Sequence, residues 1–146
     1  MSQSFKELIG SLCALVKLED PQHILHGGPI DVDGVVFSLI HDEASDPQHM
    51  WIYGDFGFAP LEDLASAYAK LLQRNYLTFE SNGPVYSLSP HTGTVICMER
   101  VALDGISAGE LASTLAYLAA QASAWQPLSI PKPDGSHIDP WLLLSA

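Results

Sequence analysis

Apolar residues recur at helical spacing at the start of the chain. Phe5, Leu8, Ile9, Leu12, Leu15 and Val16 share one face, with Cys13 beside them. Ser4-Phe5-Lys6-Glu7 before them is a capping box, in which Ser4 and Glu7 satisfy each other's backbone donors. The pattern predicts a first helix that fades by Asp20-Pro21. The period then drops to two. Ile30-Asp31-Val32 and Val35 to His41 read as strands around an Asp33-Gly34 hairpin turn, and His49 to Phe56 reads as a third strand.

A second helix is predicted from near Pro60, a residue suited to a first turn. Leu61, Leu64, Ala65, Tyr68, Leu71 and Leu72 form its stripe, and Asn75 is the expected stop. Pro84 to Leu88 and Thr94 to Ala102 are strands joined by the turn formers of "SPHTG". A third helix follows from about Ser107 to Trp125, with Leu111, Leu115, Leu118, Ala122 and Trp125 on one face and Pro127 as its end. The order is helix, three strands, helix, two strands, helix. Its hairpin connections imply an α+β fold, with three helices on a largely antiparallel five-stranded sheet. Residues 1–126 read as one domain and the proline-rich 127–146 as a tail, extended or docked.

The strands are apolar on both faces, since Val35, Phe37 and Leu39 alternate with Val36 and Ile40. Three helices cover one face of such a sheet. The other face calls for a partner, with a second copy of the chain as one candidate. Cover by long loops and the tail is the alternative.

Charge narrows the partner. Six Lys and Arg against seventeen Asp and Glu give a net charge of −11, which disfavours nucleic acid and anionic membrane. No apolar run approaches the length of a membrane span. "MSQSFKEL" has neither the basic region nor the apolar stretch of a signal peptide, so a bacterial cytoplasmic location is expected, with Cys13 and Cys97 reduced and buried and a disulfide between them as the alternative.

The candidate chemistry is thin. Gly105-Ile106-Ser107-Ala108-Gly109 matches the nucleophile pattern G-x-S-x-G, and Asp134 and His137 lie downstream. That elbow belongs in a parallel sheet, however, whereas these strands are joined by hairpins. Ser107-Ala108-Gly109-Glu110 is also a second capping box, so the cap is favoured over the nucleophile. His23 and His26 have no third ligand converging on them. Asp31-Val32-Asp33-Gly34 lacks the later ligands of a calcium loop. No metal and no cofactor are expected.

The stretches "LLQRNYL", "GPVYSLSPHTGTVICMERVAL" and "GISAGEL" resemble the class I type III secretion chaperones, the CesT/Tir-chaperone family. The likeness runs from the first helix to about Trp125; the proline-rich ending is not part of it. The resemblance implies a non-enzymatic homodimer that binds an extended N-terminal segment of a secreted effector and keeps it soluble and competent for export. The effector would lie in grooves beside the first helix and the sheet, with a strand added at an exposed sheet edge as a further mode. Carried onto this sequence, the effector groove involves Phe5, Leu8, Leu12, Leu15, Val36 and Leu39. The dimer contact involves Leu64, Tyr68, Leu71, Leu72, Tyr86 and Leu88. About half of these twelve are expected to be core within their own monomer. A small serine hydrolase built on Ser107, and the same fold reused as a regulatory binding module, are the competing expectations.

Overall fold

The computed structural model describes residues 4–59, 61–78 and 83–129. Helix α1 (Phe5–Val16) starts where Ser4 Oγ accepts the Glu7 N–H at 3.0 Å, and it buries Phe5, Leu8, Ile9, Leu12 and Cys13. A short helix α2 (Pro21–Leu25) follows, which the sequence reading did not include. Asp20-Pro21 closes one helix and opens another: the Asp20 carboxylate accepts the His23 N–H at 3.2 Å, and Pro21 occupies the first turn.

Strands β1 (Ile30–Val32) and β2 (Val35–Ile40) form a hairpin in which Val32 pairs with Val35. Asp33 (φ 51°) and Gly34 (φ 85°) both take positive φ, the mirror-image turn that suits strand twist. Asp31 Oδ1 fastens it by accepting the Gly34 N–H at 2.9 Å. β3 (His49–Gly57) pairs with β2 and, on its other side, with β5 (Val95–Ala102). Between β3 and β5 the chain makes a 3-10 turn at Leu61–Asp63, helix α3 (Leu64–Thr78) and strand β4 (Val85–Leu88). The five strands are antiparallel throughout, in the order β1-β2-β3-β5-β4. The α+β architecture is therefore the expected one, with α2 added.

One face of the sheet is the core. Val35, Phe37, Leu39, Met50, Ile52, Phe56, Val95 and Cys97 point to it, and α1 and α4 (Ala108–Ser129) close it with Leu111, Leu115, Leu118 and Ala122. Gly54 makes room for a ring there, because a Cβ on it would lie 2.8 Å from Phe37 Cε1. The opposite face carries Val36, Ile40, Trp51, Tyr53, Ile96 and Met98, all half-buried or exposed.

Two boundaries differ from expectation. α3 does not stop at Asn75 but runs to Thr78, because the Asn75 side chain is engaged with β4 and does not cap the helix. α4 continues past Pro127 to Ser129 and so crosses the expected division at 126/127. A proline that close to a helix end removes only one backbone hydrogen bond. Pro60, the predicted start of the second helix, and residues 130–146 of the tail lie outside the described residues.

Candidate functional site

Three surfaces stand out. The first is a groove of about 360 Å³ between α1, β1 and α4. Leu12, Ile30 and Leu115 are buried and form its floor, Val16 and Ala116 stand exposed on its walls, and Asp31 and Asp33 lie on its lip. The apolar stripe of α1 faces α4 and the core, so the groove forms where the end of α1 passes the short β1. A two-residue hairpin closes on a hydrogen-bonded pair, here Val32 with Val35. The N–H and C=O of Asp31, the next residue along, therefore point away from β2, toward the outside of the sheet.

This placement sorts the six expected groove residues. Phe5, Leu8 and Leu39 are core side chains and present nothing to a partner; Leu12 is buried and forms floor only. A stripe at helical spacing in a two-layer fold is spent first on the core. Leu15 is exposed on α1. Val36 is exposed as well, but its register opposite Asp55 puts it on the other face of the sheet from Leu39. Of the lining residues only Leu12 was expected in the groove; Val16, Leu18, Ile30, Val32 and Ala116 are among those the sequence did not assign to it. Alternation in β1 was the available signal for Ile30 and Val32.

The second surface is the outward stripe of α3. Leu64, Tyr68, Leu72 and Tyr76 recur every four residues, and Leu72 and Tyr76 are 70 % and 83 % exposed. Leu77 stands exposed beside them. Of the six expected dimer residues, Leu64, Leu72 and Leu88 are exposed and Tyr68 is half-buried. Leu71 and Tyr86 are core, Tyr86 packing edge-on against Phe56 at 5.9 Å. Tyr76 and Leu77 lie beyond the helix end that Asn75 suggests in sequence, so the predicted stripe stops short of them.

The third surface is a concavity of about 590 Å³ on the outer sheet face, bounded by Trp51, Met98 and Val85 and by the end of α3. At its rim Asp46 takes a forked pair of bonds from Arg100 (2.9 and 3.0 Å) and contacts His49 Nδ1 at 3.0 Å. The Arg100 guanidinium, helped by His49, holds the Asp46 carboxyl below its usual range. Across the sheet, burial pushes the Cys97 thiol up to about 12, with Glu99 adding to the effect, and raises the Tyr86 hydroxyl and the Glu99 carboxyl.

The candidate nucleophile is engaged in a helix cap. Ser107 Oγ accepts the Glu110 N–H at 3.1 Å, and Glu110 Oε1 accepts the Ser107 N–H at 3.4 Å, a reciprocal helix cap. Asp134 and His137, the partners a hydrolase would need, lie outside the described residues. Among the described residues no three His, Cys, Asp or Glu side chains are grouped to hold a metal ion. No helix among them is long and apolar enough to cross a membrane.

Comparison with known proteins adds a second line. Residues 32–126 match the model of the Tir chaperone protein (CesT) family. A search of curated protein sequences gave no match. Among solved structures, one similar chain comes from the Yersinia pestis type III secretion chaperone SycH in complex with a stable fragment of YscM2. It is 18 % identical with a TM-score of 0.64, over 82 % of this chain and 98 % of that one. A chain of the HopA1–SchA chaperone–effector complex is 18 % identical, with a TM-score of 0.66 over 84 % and 93 %. A chain of the ExsC–ExsE complex is 16 % identical, with a TM-score of 0.68 over 88 % and 96 %. At such identities the likeness is one of fold.

Proposed function

From the premise that the chain belongs to the Tir chaperone protein (CesT) family, we propose that it is a non-enzymatic chaperone for a type III secreted effector. It binds an extended segment near the effector's N-terminus, covers that segment's apolar side chains and holds it soluble until export. The observation that carries this is the apolar groove between α1, β1 and α4, which opens beside the outward backbone edge of β1. An extended chain lying there places alternate side chains in the groove and sets its backbone against Asp31. The occurrence of the fold in a chaperone–effector complex supports the same reading.

The chaperone acts as a homodimer through α3, whose exposed Leu64-Leu72-Tyr76 stripe is the kind of apolar surface a two-fold contact covers. It works in the bacterial cytoplasm, before export. Its net charge of −11 keeps the free dimer soluble and away from nucleic acid. Commitment of the Ser107 hydroxyl to the α4 cap supports the non-enzymatic reading.

The test is co-expression with the proteins encoded beside it, followed by size-exclusion chromatography with light scattering. The expected result is two copies of this chain with one effector, the effector contributing an N-terminal segment protected from protease. A monomer that retains no neighbour would sink the proposal.

A further inference from the structure

The two edges of the sheet are treated differently. β1 and β4 are the outer strands, and an outer strand offers unpaired backbone groups that recruit another chain unless something blocks them. On β4 the blocking group is a side chain. Asn75, from α3, donates its Nδ2–H to the Tyr86 carbonyl at 2.9 Å and accepts the Tyr86 N–H on Oδ1 at 2.8 Å. Those are the two bonds that one residue of a neighbouring antiparallel strand exchanges with the residue facing it, at ladder length. A primary carboxamide has the same donor and acceptor side by side as a peptide group, so it can stand in for one residue of a strand.

The cover continues along the strand. Strand alternation turns Pro84 and Tyr86 to the same side, away from β5. Thr78 Oγ1 lies 3.1 Å from both the Pro84 and the Arg74 carbonyls and shares its one proton between them, and Pro84 has no N–H to offer. Both outward groups of Tyr86 are thus taken, and Pro84 offers no outward N–H. α3 carries both blocking side chains, and its three-residue spacing from Asn75 to Thr78 sets them on one helix face. Among the described residues, no side chain bonds the outward backbone of Asp31 on β1 in this way.

We infer that Asn75 is an edge cap that decides where the sheet can be extended: with the carboxamide in place β4 is blocked at Tyr86, and strand addition is directed to β1. The β1 half of this rests on the function proposed above. The β4 half rests only on the self-association through α3 proposed there, and not on an effector. The need for the cap follows from the neighbouring surface. Leu72 and Tyr76 flank Asn75 on α3, so when two copies approach through that stripe their β4 edges are brought near each other. Asn75 keeps that encounter a side-chain contact and prevents it from growing into a continuous sheet.

The test is amide hydrogen exchange at Tyr86 by NMR, together with sedimentation velocity, on the wild-type protein and on Asn75→Ala. In the wild type the Tyr86 N–H, though on an outer strand, is expected to be protected. In Asn75→Ala its exchange rises about ten-fold, the size of one lost hydrogen bond, and species larger than the wild-type assembly appear and grow with concentration. Leu88→Pro supplies the control. Its N–H lies on the same outward side as that of Tyr86, so a proline there re-blocks the edge without breaking the ladder to β5. The double variant Asn75→Ala/Leu88→Pro is expected to lose the extra association, a rescue that a merely structural role for Asn75 would not produce. An unprotected Tyr86 amide in the wild type overturns the inference even if no variant folds. Larger species that survive Leu88→Pro, or fail to form in Asn75→Ala, overturn it as well. None of these readouts uses an effector, so failure here is distinguishable from failure of the chaperone proposal.

Discussion

Leu71 and Leu72 are neighbours in sequence with opposite surroundings, and that contrast gives the sharpest test of the dimer surface. Leu71 is 4 % exposed and Leu72 is 70 % exposed. Full burial of a leucine side chain is worth about 2 kcal/mol, so covering the exposed part of Leu72 in a two-fold interface contributes about 1.5 kcal/mol from each protomer. A two-fold contact contains the residue twice, which makes about 3 kcal/mol per dimer, or about 100-fold in the dissociation constant. Leu72→Ala is therefore expected to raise the dimer dissociation constant about 100-fold in analytical ultracentrifugation. The urea midpoint of the wild type should rise with protein concentration, as it does for any folded dimer, and this dependence should weaken in Leu72→Ala. Leu71→Ala acts on the other link of the chain. It opens a cavity in the monomer core and is expected to cost about 2–4 kcal/mol of folding stability. A Leu72→Ala protein that dimerises like the wild type would refute the assignment of the α3 stripe to self-association.

Val16, on the wall of the α1–β1–α4 groove, is 44 % exposed. Val16→Asp should weaken effector-segment binding at least about ten-fold by calorimetry, because a carboxylate is then covered by an apolar side chain; stability should change by no more than about 0.5 kcal/mol. Ser107→Ala removes an N-cap and should lower stability by about 1 kcal/mol. Neither it nor the wild type should be labelled by a fluorophosphonate; wild-type labelling lost in the variant would revive the hydrolase. The Cys97 thiol, held protonated to about pH 12 by burial, should resist iodoacetamide at pH 8.5 in the native protein and react once it is unfolded. In the unfolded chain the thiol ionises near its ordinary value of 9.0. Its contribution to stability is therefore complete below pH 9 and declines as pH rises toward 12, by at most about 1.4 kcal/mol per unit. Tyr86 and Cys13, also raised by burial, add to that slope. Cys97→Ala should make the urea-monitored slope shallower without abolishing it.

The parts of the fold legible in the sequence are those fixed by local chemistry. Ser4 with Glu7 and Ser107 with Glu110 announce helix starts through bonds spanning three residues, and Asp33-Gly34 announces a turn through φ angles that few other pairs tolerate. Asp20-Pro21 shows the limit of such signals. The same dipeptide ends one helix and begins the next, and only the bond from Asp20 to the His23 N–H decides that it does both. Asn75 shows the limit more plainly. An asparagine near the end of a helical pattern is a reasonable helix stop when only neighbours in sequence are considered. Its actual partner, Tyr86, is eleven residues away on β4.

The exposed apolar surface was legible in kind and not in its residues, for a reason that applies to any fold of this type. Periodicity reports that a helix face or strand face is apolar. It does not report which layer takes that face first. α1 spends Phe5, Leu8, Ile9 and Leu12 on the core and leaves Leu15 and Val16 outside, although all six share one stripe. α3 carries enough apolar residues for two faces, so Ala67 and Leu71 turn inward while Leu64, Leu72 and Tyr76 turn outward. β2 alternates Val35, Phe37 and Leu39 inward with Val36 and Ile40 outward, all of them apolar. In each element the core takes what packing requires, and the surplus is the surface available to partners. The low charged share, 16 % of the chain beside an ordinary 47 % apolar, fits a surface on which apolar side chains are left over. Locating it requires the packing, since a surplus is defined only after the core has been filled.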